Sequence, residues 1–300
     1  MVNKRHLHDT YRIAGHLITG LPSLKQENPD IIPGFSCFHP EKDIQKEKPL
    51  LRFETGIPLS DRATEPQHSF MFEQFICDFS SDKDVYLFRM VSQENNKCYL
   101  TEIHPDGDVF RAFGNFDNEA PGYVLRFAVW IAFGVAAVHR QTVAIHSSAV
   151  MCGGKSVLFL GESGTGKSTH TRLWLDNIPG TELLNDDSPF MNVSGDIRVY
   201  GSPWSGKTPC YKNRDTPVAA LVRLRQAPCN KIRKLNGLEA IGAVLPSFPP
   251  AFSYDKTLSG YIHSILSKIL QKTPVYGLDC LPSADAAELV FNTLKEEGSL

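Results

Sequence analysis

Short apolar or alternating runs punctuated by Pro, Asn and Asp fill the first hundred residues, among them 69–72, 85–90 and 98–101. Period-two runs bounded by turn formers predict short strands. Residues 26–50 carry Asn28-Pro29, Pro33-Gly34 and a charged stretch over 41–48, the signature of a loop rather than of core. Asp106-Gly107, just after Pro105, predicts a tight turn between strands. Residues 115–122 read as a linker into a helix over 123–139, and the domain boundary is placed near residue 120.

Beyond that helix, residues 142–151 and 155–160 are two β-rich runs separated by Gly153-Gly154, a hairpin signal. The second run feeds directly into glycines. Helical spacing then runs from Gly166 to Leu175 and stops at Pro179-Gly180. Leu183-Leu184 leads into Asn185-Asp186-Asp187, and residues 191–200 predict a hairpin turning at Gly195-Asp196. A strand over 219–224 and helices near 238–245, 257–271 and 284–295 complete the pattern, with no internal repeat or low-complexity segment. The expected class is α/β: a strand-rich α+β domain over 1–120, then a mixed-sheet domain over 121–300.

Composition narrows the choice of partner. Three hundred residues, 42% hydrophobic and 21% charged, suffice for two globular domains. A net charge of -2 and a pI near 6.6 give no global reason to expect nucleic acid or an anionic membrane as partner. The apolar stretch 123–138 is short for a bilayer span and contains Arg126, so it reads as a buried helix. Seven cysteines without C-x-x-C spacing suggest neither a zinc site nor a disulfide framework, and the polar first ten residues lack signal-peptide character. A cytoplasmic protein is expected.

The sharpest chemical signal is Gly161-Glu162-Ser163-Gly164-Thr165-Gly166-Lys167-Ser168, which satisfies G-x-x-x-x-G-K-[ST] between a predicted strand and a predicted helix. Chance produces that pattern in roughly one 300-residue chain in a hundred, before the strand-loop-helix context is required. The glycines let successive backbone N–H groups converge on phosphate oxygens, and the helix adds its positive end. Lys167 then reaches the β- and γ-phosphates, and the Ser168 hydroxyl ligates Mg²⁺. The competing reading is a glycine-rich turn with a surface lysine.

A phosphate loop of this kind also needs a carboxylate at the end of a nearby strand, and Asp186 and Asp187 provide two. The strand carrying them is expected beside the phosphate-loop strand, with the two carboxylates on opposite sides and given different tasks. Asn-Asp-Asp-Ser-Pro also reads as a turn capped by its own side chains. His146, on the preceding β-run, could contact phosphate or metal or be structural. Lys207, ending the Gly201-Ser-Pro-Trp-Ser-Gly206 segment, could steady spreading negative charge, or that segment is an ordinary turn.

His146-Ser-Ser-Ala, Gly161 through Thr169 and Asn185-Asp-Asp together resemble the C-terminal kinase domain of HPr kinase/phosphorylase, and also the nucleotide-binding region of ATP-dependent phosphoenolpyruvate carboxykinase, related to it in fold. The resemblance covers about residues 142–210. It implies a P-loop fold with a mixed sheet, Asp186 as base toward an acceptor hydroxyl and Asp187 as metal ligand. By the carboxykinase likeness, His146 and Asp187 would both ligate a divalent cation, Mn²⁺ being an alternative to Mg²⁺. Thr169 stands where HPr kinases carry Glu, which argues against HPr as acceptor, and the missing carboxykinase arginine motifs argue against oxaloacetate chemistry. The expectation is an ATP- and Mg²⁺-dependent kinase acting on a serine-type hydroxyl in a protein, peptide or small molecule. The alternatives are an ATP-binding regulatory module without phosphotransfer and a carboxykinase-like enzyme. HPr kinases are oligomers, which leaves a homo-oligomer open.

Overall fold

The structure, a computed structural model, describes residues 10–21, 32, 34–41, 44, 46–61, 65–117, 119–206 and 208–300. These residues form a mixed α/β protein with two mixed sheets and five α-helices, divided into two compact units. One holds the described residues through Arg140 together with Pro250–Gly260. The other holds Gln141–Pro249 and Tyr261–Leu300.

The first unit is built on a sheet of order β1-β2-β3-β8-β7-β6-β5-β4. Its strands are β1 (Thr10–Ile13), β2 (His16–Thr19), β3 (Leu51–Glu54), β4 (His68–Phe72), β5 (Phe75–Asp82), β6 (Val85–Ser92), β7 (Cys98–Asp106) and β8 (Val109–Gly114). The predicted runs at 69–72, 85–90 and 98–101 fall on β4, β6 and β7, and Asp106-Gly107 opens the β7–β8 turn. Helix α1 (Gly122–Val138) is apolar nearly all round and accordingly buries most of its surface. The expected boundary lay near residue 120; the compact units divide after Arg140 because α1 packs on β3 and β7. Much of 26–50 lies outside the described residues. Its described part holds a 3-10 turn, Phe35–Phe38, whose two phenylalanines are buried, so that stretch contributes to core where loop was expected.

The second unit carries β9 (Thr142–Ala144), β10 (Ser147–Cys152), β11 (Lys155–Leu160), β12 (Glu182–Asn185), β13 (Phe190–Asn192), β14 (Arg198–Tyr200), β15 (Asp215–Gln226), β16 (Lys231–Leu235) and β17 (Val275–Cys280). Its helices are α2 (Lys167–Asn177), α3 (Leu238–Val244) and α5 (Ala284–Glu296), and α4 (Lys256–Lys272) begins in the segment assigned to the first unit. β10 and β11 form the predicted antiparallel hairpin, closed by Gly153 and Gly154 at φ 58° and 80°. Left-handed conformation at both central residues is what a tight two-residue hairpin turn requires. The strand order is β12-β10-β11-β15-β14-β13-β9, with β17 added to β15 and β16 to β17; β11, β15 and β17 run parallel. On one face, Trp174 of α2, Ile178 just after it, and Val290 and Leu294 of α5 cover Val157, Phe159, Val222 and Leu278. No helix among the described residues is long and apolar enough to cross a membrane.

Candidate functional site

Strand β11 ends at Leu160 and α2 begins at Lys167, so residues 161–166 make the tight strand-to-helix connection that the glycine pattern predicts. Gly164 and Gly166 sit at φ 81° and 106°, conformations that side chains with a Cβ rarely adopt. Gly166 is the N-cap of α2, and no side chain caps it. The amides of the first turn, which have no partner within a helix, are therefore left for solvent or an anion. Thr165 stiffens the loop by donating from its hydroxyl to the Glu162 carbonyl at 2.7 Å. Ser163, Ser168 and Thr169 are exposed on and just beyond it.

Lys167 is folded back into the loop. Its ammonium donates to the carbonyl oxygens of Gly161 (2.8 Å) and Glu162 (3.2 Å) and to Nε2 of His146 (3.0 Å). Burial lowers its pKa, and the nearby Asp187 carboxylate opposes that effect. A ring nitrogen facing an ammonium must accept, which puts the imidazole proton on Nδ1. That nitrogen lies 3.4 Å from Oδ1 of Asp187. Lys167, His146 and Asp187 thus form one chain of contacts at the mouth of the loop.

His146 does not lie on a strand as expected. The run 142–151 is broken because its two halves pair with different partners, β9 with β13, and β10 with β11 and β12. Ile145 and His146 make the crossing. The amide of Ile145 donates to Pro189, that of His146 to Ser247 at 2.7 Å and that of Ser147 to the Asp187 carbonyl at 3.1 Å, which sets the imidazole against Asp187. Thr171 Oγ1 donates to Ser148 Oγ at 2.7 Å and ties α2 to β10.

β12 also departs from expectation. It pairs with β10 and not with β11, because the β10–β11 hairpin already fills that side of β11 and β15 fills the other. It ends at Asn185, so Asp186 and Asp187 diverge through a turn instead of through strand alternation. Asn185 is fully buried and its Oδ1 accepts from the amides of Asp187 (3.0 Å) and Ser188 (2.9 Å), the self-capped turn that was the competing reading. The buried Asp186 accepts from Ser205 Oγ (2.9 Å) and from the amides of Gly206 (2.9 Å) and Thr208 (3.1 Å). Its carboxylate anchors this loop, and service as a base would require those donors to leave. Asp187 is about half exposed. Lys207 lies outside the described residues.

Two residues near the loop escaped the sequence reading. Arg223 on β15 pairs with Glu162 at 3.1 Å, and Gln226 donates to the Gly164 carbonyl at 3.2 Å. The parallel register that sets Leu160 opposite Arg223 brings both there, and only strand order reveals it. A cavity of about 640 Å³ adjoins the loop on its β15 and β17 side, lined by Gly164, Gly166, Thr169, Leu173, Leu224 and Pro282. Lys167, His146 and Asp187 occupy the opposite, β10 and β12 side. Among the described residues, no three His, Cys, Asp or Glu side chains gather to hold a metal.

No protein-family model matches this chain, and a search of curated proteins finds no match either.

Proposed function

We propose that residues 161–168 bind the phosphates of ATP and that the protein transfers the γ-phosphoryl group to a serine-type hydroxyl in a protein, peptide or small molecule, on a fold of the HPr-kinase and carboxykinase kind. The observation that carries this reading is the convergence of the Lys167 ammonium, the uncapped start of α2 and the Asp187 carboxylate within one short stretch. Lys167 would exchange neutral carbonyl and imidazole acceptors for charged phosphate oxygens, which make the stronger hydrogen bonds. His146 then retains Asp187 as partner through Nδ1.

Ser168 and Asp187 are the residues that fit a divalent cation: one exposed hydroxyl at the first turn of α2 and one half-exposed carboxylate. Mg²⁺ commonly takes only one or two protein ligands beside the nucleotide's phosphates, so this sparse donor set suits an ion arriving with ATP. Such an ion neutralises charge that accumulates on the phosphates during transfer. A role for His146 as Mn²⁺ ligand would require it to give up Lys167 or Asp187. Asp186 acts at one remove, by holding Ser205, Gly206 and Thr208. The cavity beyond Gly164 has the size and apolar walls a nucleoside needs. Seven free thiols and the use of ATP support a cytoplasmic setting.

The test is incubation with Mg²⁺ and γ-labelled ATP, following label into pooled metabolites and extract proteins. Label moved by the wild type but by neither Lys167→Ala nor Asp187→Asn supports the kinase and names its acceptor. Tight ATP binding without transfer to either pool replaces it with an ATP-sensing module.

A further inference from the structure

The face of the second sheet opposite α2 and α5 carries a groove of about 430 Å³, walled in part by α3. Strand alternation puts Arg223 and Arg225 of β15, Gly277 and Asp279 of β17, and Lys231 and Arg233 of β16 on this face. Register arranges them in two cross-strand rows. One row reads Arg225, Asp279, Lys231; the next reads Arg223, Gly277, Arg233.

The first row is complete. Asp279 receives two hydrogen bonds from Arg225, at 2.6 and 2.8 Å, and this pairing, reinforced by Arg233 and Lys231, holds its carboxyl below the usual range. In the second row the central position has no side chain. Its flanking strands stand on the order of 10 Å apart, a span in which two guanidiniums can face one anion between them. The position is close-fitted, since a Cβ on Gly277 would meet the Leu235 side chain at 3.3 Å, whereas Gly242 on α3 faces open space. The two arginines now rest on carboxylates at the rim: Arg223 on Glu162 at 3.1 Å, with a longer 3.5 Å contact to the Ala243 carbonyl, and Arg233 on Glu239 at 2.8 Å through both terminal nitrogens. Glu162 and Glu239 are well exposed. Exposed ion pairs contribute little, so an entering anion can exchange with them.

We propose that the groove over Gly277 is an anion-binding site for a small molecule bearing a carboxylate or phosphate, held between Arg223 and Arg233 and separate from the 161–168 loop. Asp279 shows, one row away, how this sheet accommodates a negative group between two cations. Arg223 reaches Glu162 of the 161–168 loop, so the molecule it would hold lies beside that loop. Its role as the acidic anchor of the phosphoryl acceptor rests on the reading given above; anion binding itself does not.

Isothermal titration with citrate, as the carboxylate probe, and with inorganic phosphate would be run on the wild type, Arg233→Gln, Gly277→Asp and Lys167→Ala. Arg233 is exposed, so its variant should keep the fold, which circular dichroism would check; Gly277→Asp supplies an internal carboxylate where the ligand is placed. At least one probe should bind the wild type and Lys167→Ala alike and bind Arg233→Gln and Gly277→Asp at least tenfold more weakly, about 1.4 kcal/mol. The probe that does so identifies the chemical group. Three results overturn the site: no saturable binding of either probe to the wild type, equal binding by all four proteins, or binding lost in Lys167→Ala and kept in Arg233→Gln. Groove binding without phosphoryl transfer in the labelled-ATP assay would leave the site standing and remove only its link to an acceptor.

Discussion

Replacing Asn185 with Ala should destabilise the second unit by about 3 kcal/mol, a figure that follows from counting its partners. The side chain is fully buried; Oδ1 accepts from the amides of Asp187 and Ser188, and Nδ2 donates to the Trp204 carbonyl at 3.1 Å and more distantly to Ser202. Ser202 Oγ also lies within donor range of the Trp204 carbonyl, at 3.1 Å, so the nearest of the Nδ2 acceptors keeps a donor after the change. The loss falls on the two amides. An unsatisfied buried donor costs about 1–3 kcal/mol; the Ser188 amide bears the full penalty, and water partly relieves the half-exposed Asp187. Removing the side-chain amide also leaves a small void. Asn185→Asp is the informative companion, because it keeps the acceptors for both amides but turns a donor into a charged acceptor facing the Trp204 carbonyl, so it should be no more stable than Asn185→Ala at neutral pH. Urea unfolding followed by tryptophan fluorescence, with midpoints compared at equal slope, measures both. A loss below about 1 kcal/mol for Asn185→Ala would show that backbone pairing alone holds the turn, and a wild-type midpoint for Asn185→Asp would show that the Nδ2 donor contributes nothing.

Three further outcomes are expected. Lys167→Ala should weaken ATP binding at least about tenfold, whereas Asp187→Asn should cut phosphoryl transfer by about a hundredfold or more with a smaller effect on nucleotide affinity; equilibrium binding and labelled-ATP turnover separate the two. Burial lowers the pKa of His170 to about 4, and its two ring nitrogens have no hydrogen-bond partner. Between pH 6.5 and 4 the unfolded chain binds a proton that the native histidine refuses, so stability should fall as pH drops through this window, by at most about 3 kcal/mol from this residue. His170→Phe should remove that component, as urea midpoints at pH 7 and 4.5 would show. Trp174 is fully buried between Phe159 and Phe291, with ring centroids 5.5 and 6.1 Å away. Trp174→Ala should cost about 3–5 kcal/mol in the same assay, and Trp174→Phe much less, because the indole N–H has no partner to lose.

Local chemistry was legible wherever a few neighbouring residues sufficed. The apolar run that became α1, the Gly153-Gly154 turn of the β10–β11 hairpin and the glycine loop leading into α2 all follow from side chains acting within one turn or one hairpin. β16 and β17 were not legible. Lys231–Leu235 is mostly charged, and it becomes a strand by pairing with Val275–Cys280, far away in sequence. The same reason governs the site. Residues 161–168 match a phosphate-loop pattern by spacing alone, but the break at His146, the separation of Asp186 from Asp187 and the arrival of Arg223 beside Glu162 depend on which strand lies next to which. The order of strands is decided by the burial of both sheet faces at once, a sum over the folded unit that no single stretch of sequence contains.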